Sequence, residues 1–166
     1  MPNRLAWKLN EATVTSTHLL YLNIGSNIAP EVNVPKAMQL LGNHSPLLHI
    51  SSIWESTAIG TSGPNYWNAC VSLRSPFEPD AFKETIIRSI EAQLGRNRTA
   101  DKFAPRPMDI DIILCNDTPI GDYWFELAYV VVPLAEIYPA YRIPSMLETL
   151  AETATRLRQK VWLETR

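Results

Sequence analysis

Residues 106–114 read Arg-Pro-Met-Asp-Ile-Asp-Ile-Ile-Leu, and this stretch decides the fold. Its isoleucine-rich second half predicts a β-strand. Because alternate residues of a strand share a face, Asp109 and Asp111 would project together while the isoleucine between them enters the core. Two adjacent carboxylates repel each other unless a cation or a shared proton neutralises them. The stretch therefore predicts a core strand whose charged face binds a divalent metal, and Arg106 beside it is typical of a Mg²⁺-phosphate site.

The composition indicates one globular domain. Of the 166 residues, 46% are hydrophobic and 19% are charged, which suits an ordinary core. The 15 basic and 17 acidic residues give a net charge of −2, which excludes a general attraction to nucleic acid or anionic membranes. With no signal-peptide core and no long apolar run, we predict a cytoplasmic monomer that binds only small molecules. Residues 1–17 are predicted to form an N-terminal extension and residues 18–166 the single domain.

The two cysteines, Cys70 and Cys115, lie far apart in apolar surroundings. They form neither a CxxC pair nor a metal-ligand spacing. Because cysteine is among the residues most often buried, both are predicted to be buried free thiols.

Hydrophobic periodicity divides the chain into strands and helices, with turn formers between them. The predicted elements are a strand at residues 18–24, a helix from Pro30 that ends at Gly42, strands at residues 47–56 and 66–74, a helix at residues 79–94 stopped by Gly95, and the acid strand. This order predicts an α+β fold of the ferredoxin-like β-α-β-β-α-β type. Its helices would pack on one side of an antiparallel-rich sheet.

Further elements are predicted after the acid strand. Residues 123–132 favour one more strand, and Pro133 would begin a short helix through Ile137. Ser145 and Glu148 have capping-box spacing, which predicts a C-terminal helix.

Basic side chains cluster just before the acid strand. They are Arg96, Arg98, Lys102 and Arg106. Phosphate-binding cations and metal-binding acids would then converge on one site, which is what phosphoryl transfer requires. A P-loop would not hold the phosphates, because the chain contains no GxxxxGKS or GxxxxGKT motif. On spacing alone, an exposed strand end with two solvated carboxylates stays an alternative.

Five motifs occur in an order known from one enzyme family. They are Tyr21-Leu-Asn-Ile-Gly-Ser-Asn27, Tyr66-Trp-Asn-Ala69, Glu91, Gly95-Arg-Asn-Arg98 and Pro105-Arg-Pro-Met-Asp-Ile-Asp-Ile-Ile113. Over about residues 19–137 the chain resembles the 6-hydroxymethyl-7,8-dihydropterin pyrophosphokinases of folate biosynthesis. The last motif is highly specific when a Gly-Ser-Asn turn lies roughly 80 residues upstream, as it does here.

The resemblance implies transfer of a pyrophosphoryl group from ATP to the hydroxymethyl group of a reduced pterin, with two Mg²⁺ ions. Asp109 and Asp111 are the implied metal ligands. The implied catalytic residues are these two acids with Arg96 and Arg106. The implied ATP contacts are Glu91, Arg98, Arg106 and Ile112, and the implied pterin contacts are Thr57, Ala58, Tyr66, Asn68 and Tyr129. Residues 57–65 and 96–102 would close over the substrates.

The chain departs from the family pattern after the acid strand. Family members usually carry a His and an Arg there, but residues 116–132 contain neither, and Leu127 stands where the arginine belongs. A slower enzyme is predicted, since losing one phosphate contact commonly costs roughly 10²- to 10³-fold in rate. The alternatives are a degenerate pterin- or nucleotide-binding protein without turnover, a pyrophosphokinase with an altered substrate, and a metal-dependent nucleotidyltransferase of another fold.

Overall fold

The structure is a computed structural model that describes residues 17–60, 62–98, 101 and 103–166. Residues 1–16, nearly all of the predicted N-terminal extension, lie outside the described residues, and so does Lys102 of the basic cluster. Within the described ranges, no helix is long and apolar enough to cross a membrane.

The described chain alternates between strands and helices. The strands are β1 (His18–Ser26), β2 (Leu47–Ile50), β3 (Trp54–Ser56), β4 (Tyr66–Ser75), β5 (Asp109–Cys115), β6 (Thr118–Pro119) and β7 (Leu163–Thr165). The helices are α1 (Pro30–His44), α2 (Pro79–Phe82), α3 (Arg88–Gln93), α4 (Ala128–Ile137) and α5 (Leu150–Arg158). A π-helical segment, Lys83–Ile87, joins α2 to α3, and a 3₁₀-helix, Tyr123–Glu126, precedes α4.

The strands form one sheet in the order β6-β5-β1-β4-β3-β7, and β2 pairs with β4 beside β3. Neighbouring strands are antiparallel throughout. The predicted α+β ferredoxin-like fold is confirmed. The central position of β1, between β4 and β5, brings the Gly-Ser-Asn turn and the acid strand to the same end of the sheet.

Helices cover both faces of this sheet, so the prediction of helices on one side only was incomplete. On the first face, α1 and the α2–α3 helices bury their apolar residues against Leu20, Leu22 and Ile24 of β1. On the second face, α4 contacts β1, β3 and β4, and α5 packs on α4. This second layer was missed because residues 123–132 were predicted to form a strand.

The predicted strand at residues 123–132 is wrong. Tyr123–Glu126 is a 3₁₀-helix, and α4 already begins at Ala128, with Pro133 inside it rather than at its start. Val130, Val131 and Val132 are all buried, because α4 lies between the sheet and α5. A short segment that is apolar on every side has no helical period to detect, and its valines favour a strand on propensity alone.

Three other boundaries differ from the prediction. The strand predicted at residues 47–56 is two strands, because regular pairing with β4 is interrupted at residues 51–53. There the Ser51 hydroxyl oxygen accepts a hydrogen bond from the backbone N–H of Cys70 at 2.8 Å. Helix α1 continues past Gly42 to His44. The helix predicted at residues 79–94 contains the π-helical segment, although Gly95, at φ 86°, follows it as predicted. The prediction that Cys70 and Cys115 are buried free thiols is confirmed.

The capping box lies four residues later than predicted. Thr149 and Glu152 form it: the Thr149 hydroxyl oxygen accepts from the Glu152 N–H at 3.3 Å, and the Glu152 carboxylate accepts from the Thr149 N–H at 2.7 Å. Glu148 instead forms an ion pair with Arg156 at 2.7 Å. The helix starts late because residues 144–148 form turns and bends, which a β-bridge between Arg142 and Thr149 closes.

Candidate active site

Asp109 and Asp111 lie on one face of β5, as predicted. Across the β1–β5 ladder, Asp109 is opposite Gly25 and Asp111 is opposite Asn23. Ile110 points to the other face and is buried. The two carboxylates therefore lie at the end of the sheet, where β5 begins and β1 ends.

Two arginines hold the carboxylate of Asp109. Arg96 donates to its Oδ1 atom at 2.6 Å, and Arg106 forms an ion pair with its Oδ2 atom. The Arg96 side chain is only 13% exposed, so little water screens this pair. Among the described residues, Asp109 is therefore the acid of the pair that forms direct ion pairs with the arginines.

Glu91, on α3, fixes the arginines from below. It is 3% exposed, and its Oε1 atom accepts from Arg96 at 2.5 Å and from the backbone N–H of Ile110 at 3.0 Å. Its Oε2 atom accepts from Arg98 at 3.2 Å. One buried carboxylate therefore joins α3, the basic segment and the start of the acid strand.

Asn27, in the Gly-Ser-Asn turn, holds the backbone of Arg106. The Arg106 N–H donates to Asn27 Oδ1 at 2.7 Å, and the Asn27 N–H donates to the Arg106 carbonyl oxygen at 3.1 Å. The Asn27 amide also donates to the Pro64 carbonyl oxygen at 3.4 Å. The sequence offered this turn only as a weak signal, yet it joins both loops of the site to β1.

A cavity of about 160 Å³ opens beside the acids. Among the residues that line it are Thr57, Tyr66, Asn68, Arg106, Asp109, Asp111 and Tyr129, all of which the sequence placed at the site. Tyr129 reaches the cavity from a helix rather than from a strand. The predicted acid and pterin residues are therefore brought together at one cavity.

Five predicted site residues do not line this cavity, and two of them, Arg96 and Arg98, line a neighbouring one instead. Ala58 does not line the cavity, although its neighbours Thr57 and Ile59 do. Ile112 has its side chain in the core, 6% exposed, so that side chain is not available to a nucleotide. Glu91 lies beneath the arginines, where it acts on them rather than on a ligand.

The prediction missed several cavity residues. They include Asn23, Gly25, Ser56, Phe103 and Trp124. Asn23 had a readable signal, because it is a carboxamide inside the otherwise apolar run of residues 19–24 and lies two residues before the glycine of the turn. No sequence pattern indicated Trp124, since this residue reaches the cavity only because of the unpredicted 3₁₀-helix.

A second cavity, of about 220 Å³, lies on the basic side and is lined by Arg96, Arg98 and Arg106. Arg106 lines both cavities. Guanidinium groups are well matched to phosphate oxygens. The basic cavity can therefore hold a polyphosphate whose end reaches the acids.

The charges suit a hard divalent cation at Asp109 and Asp111. Burial raises the pKa of Asp111 to about 7, and the neighbouring charge of Asp109 adds to the rise. In the described part of the chain, no group of three or more His, Cys, Asp or Glu side chains could hold a metal. Two carboxylates with substrate phosphates and water make a typical Mg²⁺ ligand set, so these residues fit Mg²⁺ when a nucleotide is present.

The part of the cavity wall that follows the acid strand in sequence is aromatic and uncharged. Trp124 and Tyr129 line it, and the Trp124 N–H is already donated to the Ile120 carbonyl oxygen at 2.6 Å. Tyr123 packs on Trp124, with ring centroids 4.1 Å apart. The structure therefore shows no histidine or arginine on this wall among the described residues, in agreement with the composition of residues 116–132.

Comparisons with known sequences match these features. Residues 21–139 match the family model of 7,8-dihydro-6-hydroxymethylpterin-pyrophosphokinase. Two relatives carry the name 2-amino-4-hydroxy-6-hydroxymethyldihydropteridine pyrophosphokinase. The protein from Synechocystis is 30% identical over 146 residues, 81% of this chain and 74% of its own length. That from Helicobacter pylori is 34% identical over 127 residues, 69% of this chain and 77% of its own length.

Solved structures support the fold. An HPPK-DHPS protein in complex with substrates superposes with a TM-score of 0.66 at 12% identity, and a Plasmodium falciparum HPPK-DHPS protein with a TM-score of 0.70 at 10% identity. The first comparison covers 87% of this chain, the second 90%, but the chain spans only 45% and 47% of those longer proteins. On the family match and the sequence identities, this chain belongs to the 7,8-dihydro-6-hydroxymethylpterin-pyrophosphokinase family.

Proposed function

We propose that this chain transfers a pyrophosphoryl group from ATP to the hydroxymethyl group of 6-hydroxymethyl-7,8-dihydropterin, a step of folate biosynthesis that releases AMP. One observation carries the proposal. Arg106 is shared by an arginine-lined cavity and by a cavity that combines two strand carboxylates with Tyr66 and Asn68. These adjoining cavities support the proposal, because phosphate binding, metal binding and recognition of a flat heterocycle would then occur side by side.

Asp109 and Asp111 would hold two Mg²⁺ ions together with the ATP phosphates. Mg²⁺ bound there neutralises phosphate charge and orients the transferred group. The entering triphosphate takes Arg96 and Arg106 from Asp109, since phosphate is a bidentate partner for guanidinium. Arg98 is more exposed, at 56% for its side chain, and is placed to contact the phosphates first.

The pterin is bound on the other side of the acids. Tyr66 offers an aromatic face, and Asn68 offers a carboxamide, which can both donate to and accept from the amide-like edge of the pterin. The Asn68 amide is oriented by a hydrogen bond to the Ser56 hydroxyl at 3.3 Å. Thr57 and Tyr129 close the same cavity.

No protein nucleophile is needed. The hydroxymethyl oxygen attacks the β-phosphorus of ATP and loses its proton to solvent, while the bond from that phosphorus to the α–β bridging oxygen breaks and AMP leaves. The protein lowers the barrier by holding donor and acceptor in line and by stabilising the charge on the phosphates. We further propose that the chain acts on these small molecules as a cytoplasmic monomer.

The deciding experiment incubates the protein with ATP, Mg²⁺ and 6-hydroxymethyl-7,8-dihydropterin. We expect AMP and the pyrophosphorylated pterin in equal amounts, and no AMP when the pterin or Mg²⁺ is omitted. Pterin binding without AMP release would favour the degenerate binding protein. The observation in favour of that alternative is the aromatic wall, which carries no charged group. Release of pyrophosphate instead of AMP would identify a nucleotidyltransferase.

Substituting Gly25 by alanine should weaken pterin binding without unfolding the protein. A Cβ atom at Gly25 would lie 2.9 Å from Oδ1 of Asn68, so the Asn68 carboxamide has to move. We expect the KM for the pterin to rise about 10-fold, the size of one misplaced hydrogen bond, with the KM for ATP unchanged.

The matched control is Gly42→Ala. A Cβ atom there meets only Leu47, at an ordinary 3.9 Å, and alanine favours helix α1. Equal effects of the two substitutions on the pterin KM would contradict the role given to Asn68.

A further inference from the structure

Asn23 is a buried carboxamide at the base of the acid-lined cavity. It is 5% exposed and lines the same cavity as Tyr66, Asn68 and Asp111. In the sheet it is opposite Asp111 of β5 on one side and Cys70 of β4 on the other. Directly opposite residues of antiparallel strands point to the same face, so Asn23 stands in one row with the second metal-binding acid.

The oxygen of this carboxamide faces a thiol on β4. Cys70 Sγ lies 3.6 Å from Asn23 Oδ1 and 3.7 Å from the Val130 carbonyl oxygen, and it can donate its one hydrogen to Oδ1, the nearer of the two. Burial raises the pKa of Cys70, which keeps the thiol protonated and able to donate. The oxygen thus faces β4, and the Nδ2 amide group faces the cavity.

The Nδ2 group has no acceptor among the residues that the structure describes. Among the described residues, only His44 Nε2 is a fully buried side-chain atom without a partner, so Asn23 Nδ2 is open to the cavity, where it can donate to a ligand acceptor. Asn68 offers its own carboxamide to the same cavity but is held by Ser56. The two carboxamides can therefore contact different edges of one heterocycle.

We propose that Asn23 is a specificity-determining residue that donates its Nδ2 hydrogen to the acceptor substrate, at the ring nitrogen next to the carbon that bears the hydroxymethyl group. The inference rests on the proposed function. The hydroxymethyl group has to reach phosphates held at Asp109 and Asp111, so this ring edge is the one turned toward β5. Asn23 is the neutral donor beside Asp111 on that side.

The test compares two ligands with two proteins. Kd values are measured for 6-hydroxymethyl-7,8-dihydropterin and for its 5-deaza analogue, in which C–H replaces that nitrogen. The wild type should bind the analogue about 10-fold more weakly than the parent. In Asn23→Ala, binding of the parent pterin should weaken to the level of the analogue, so that the ratio of the two Kd values falls to about 1. The Kd for ATP should stay unchanged.

A Cys70→Ala variant is the control, because it removes the thiol donor but leaves the carboxamide in the cavity. It should still discriminate between the two ligands. If Asn23→Ala does not fold, Asn23→Ser is used, since its short hydroxyl cannot span the same distance and the ratio should again fall to about 1. A ratio that stays near 10 in either folded variant overturns the inference, and so does a loss of ATP affinity equal to the loss of pterin affinity.

The two proposals fail in different ways. If the wild type releases AMP but Asn23→Ala discriminates like the wild type, only the role of Asn23 is wrong. If the wild type binds no reduced pterin, both proposals fall, and Asn68→Ala will then change nothing either.

Discussion

Asp111→Asn will abolish AMP formation and will make the ligand-free protein more stable. The amide is a poor ligand for Mg²⁺, so we expect activity to fall at least about 10³-fold. The stability gain arises because Asp111 is a half-buried carboxylate next to Asp109, with a pKa raised to about 7. Replacing it with a neutral side chain of the same shape should add about 1 to 3 kcal/mol to the free energy of unfolding, or roughly 2 to 10 °C in Tm.

The gain in the free energy of unfolding of Asp111→Asn over the wild type should increase with pH. The pKa of Asp111 is higher in the folded state than its ordinary value of 3.8, so the folded protein binds this proton more tightly than the unfolded chain does. The wild type therefore loses stability as the pH rises from about 4 to about 7, and the full cost remains above that range. The Tm difference between Asp111→Asn and the wild type should be small near pH 4 and largest near pH 8, measured without Mg²⁺ and nucleotide.

Asp80→Asn is the matched control, because Asp80 is an exposed carboxylate in the first turn of α2. It should keep full activity and gain no stability, since an acid near a helix N-terminus is slightly favourable. An Asp111→Asn protein that is inactive and also less stable than the wild type at pH 8 would show that the carboxylate stabilises the fold rather than destabilising it.

The sequence predicted the acid strand correctly because its two signals agreed. Alternation placed both carboxylates of Asp109 and Asp111 on one face, and β-branched neighbours favoured the strand. The same propensity misled at residues 128–132, where burial against both the sheet and α5 removes any polar face. Tertiary contacts, which no local pattern encodes, decided between strand and helix there.

Parts of the site could not be predicted because they depend on register across the sheet. Asn23 belongs to the cavity only because β1 pairs with β5 so that it stands opposite Asp111. Asn27 and Arg106 are 79 residues apart, yet their mutual hydrogen bonds position the arginine backbone. Motif spacing placed these segments near one another, but only the pairing register of the β-strands specifies which side chains come into contact.

Glu91→Ala will weaken both the fold and the nucleotide site. Glu91 is buried and accepts hydrogen bonds from Arg96, Arg98 and the Ile110 N–H. Its removal leaves the buried Ile110 N–H without this acceptor and leaves the poorly exposed Arg96 with Asp109 alone of its two carboxylate partners. Breaking a buried pair on one side costs about 3 to 5 kcal/mol, which corresponds to a fall in Tm of roughly 6 to 20 °C. We also expect a rise of about 10-fold or more in the KM for ATP, because the two arginines lose the group that aims them at the phosphates.

Glu84→Ala on the preceding π-helical segment is the matched control for Glu91→Ala. Glu84 forms an ion pair with Arg88, but the two side chains are 53% and 48% exposed, so water screens the pair and its loss should cost less than about 1 kcal/mol. Glu91→Gln separates the two effects, because the amide oxygen can still accept from the Ile110 N–H while the charge that holds the arginines is gone. It should recover part of the Tm but little of the affinity for ATP. If Glu91→Gln instead restores ATP affinity together with the Tm, the carboxylate charge does not orient the arginines, and Glu91 serves only to join α3 to β5.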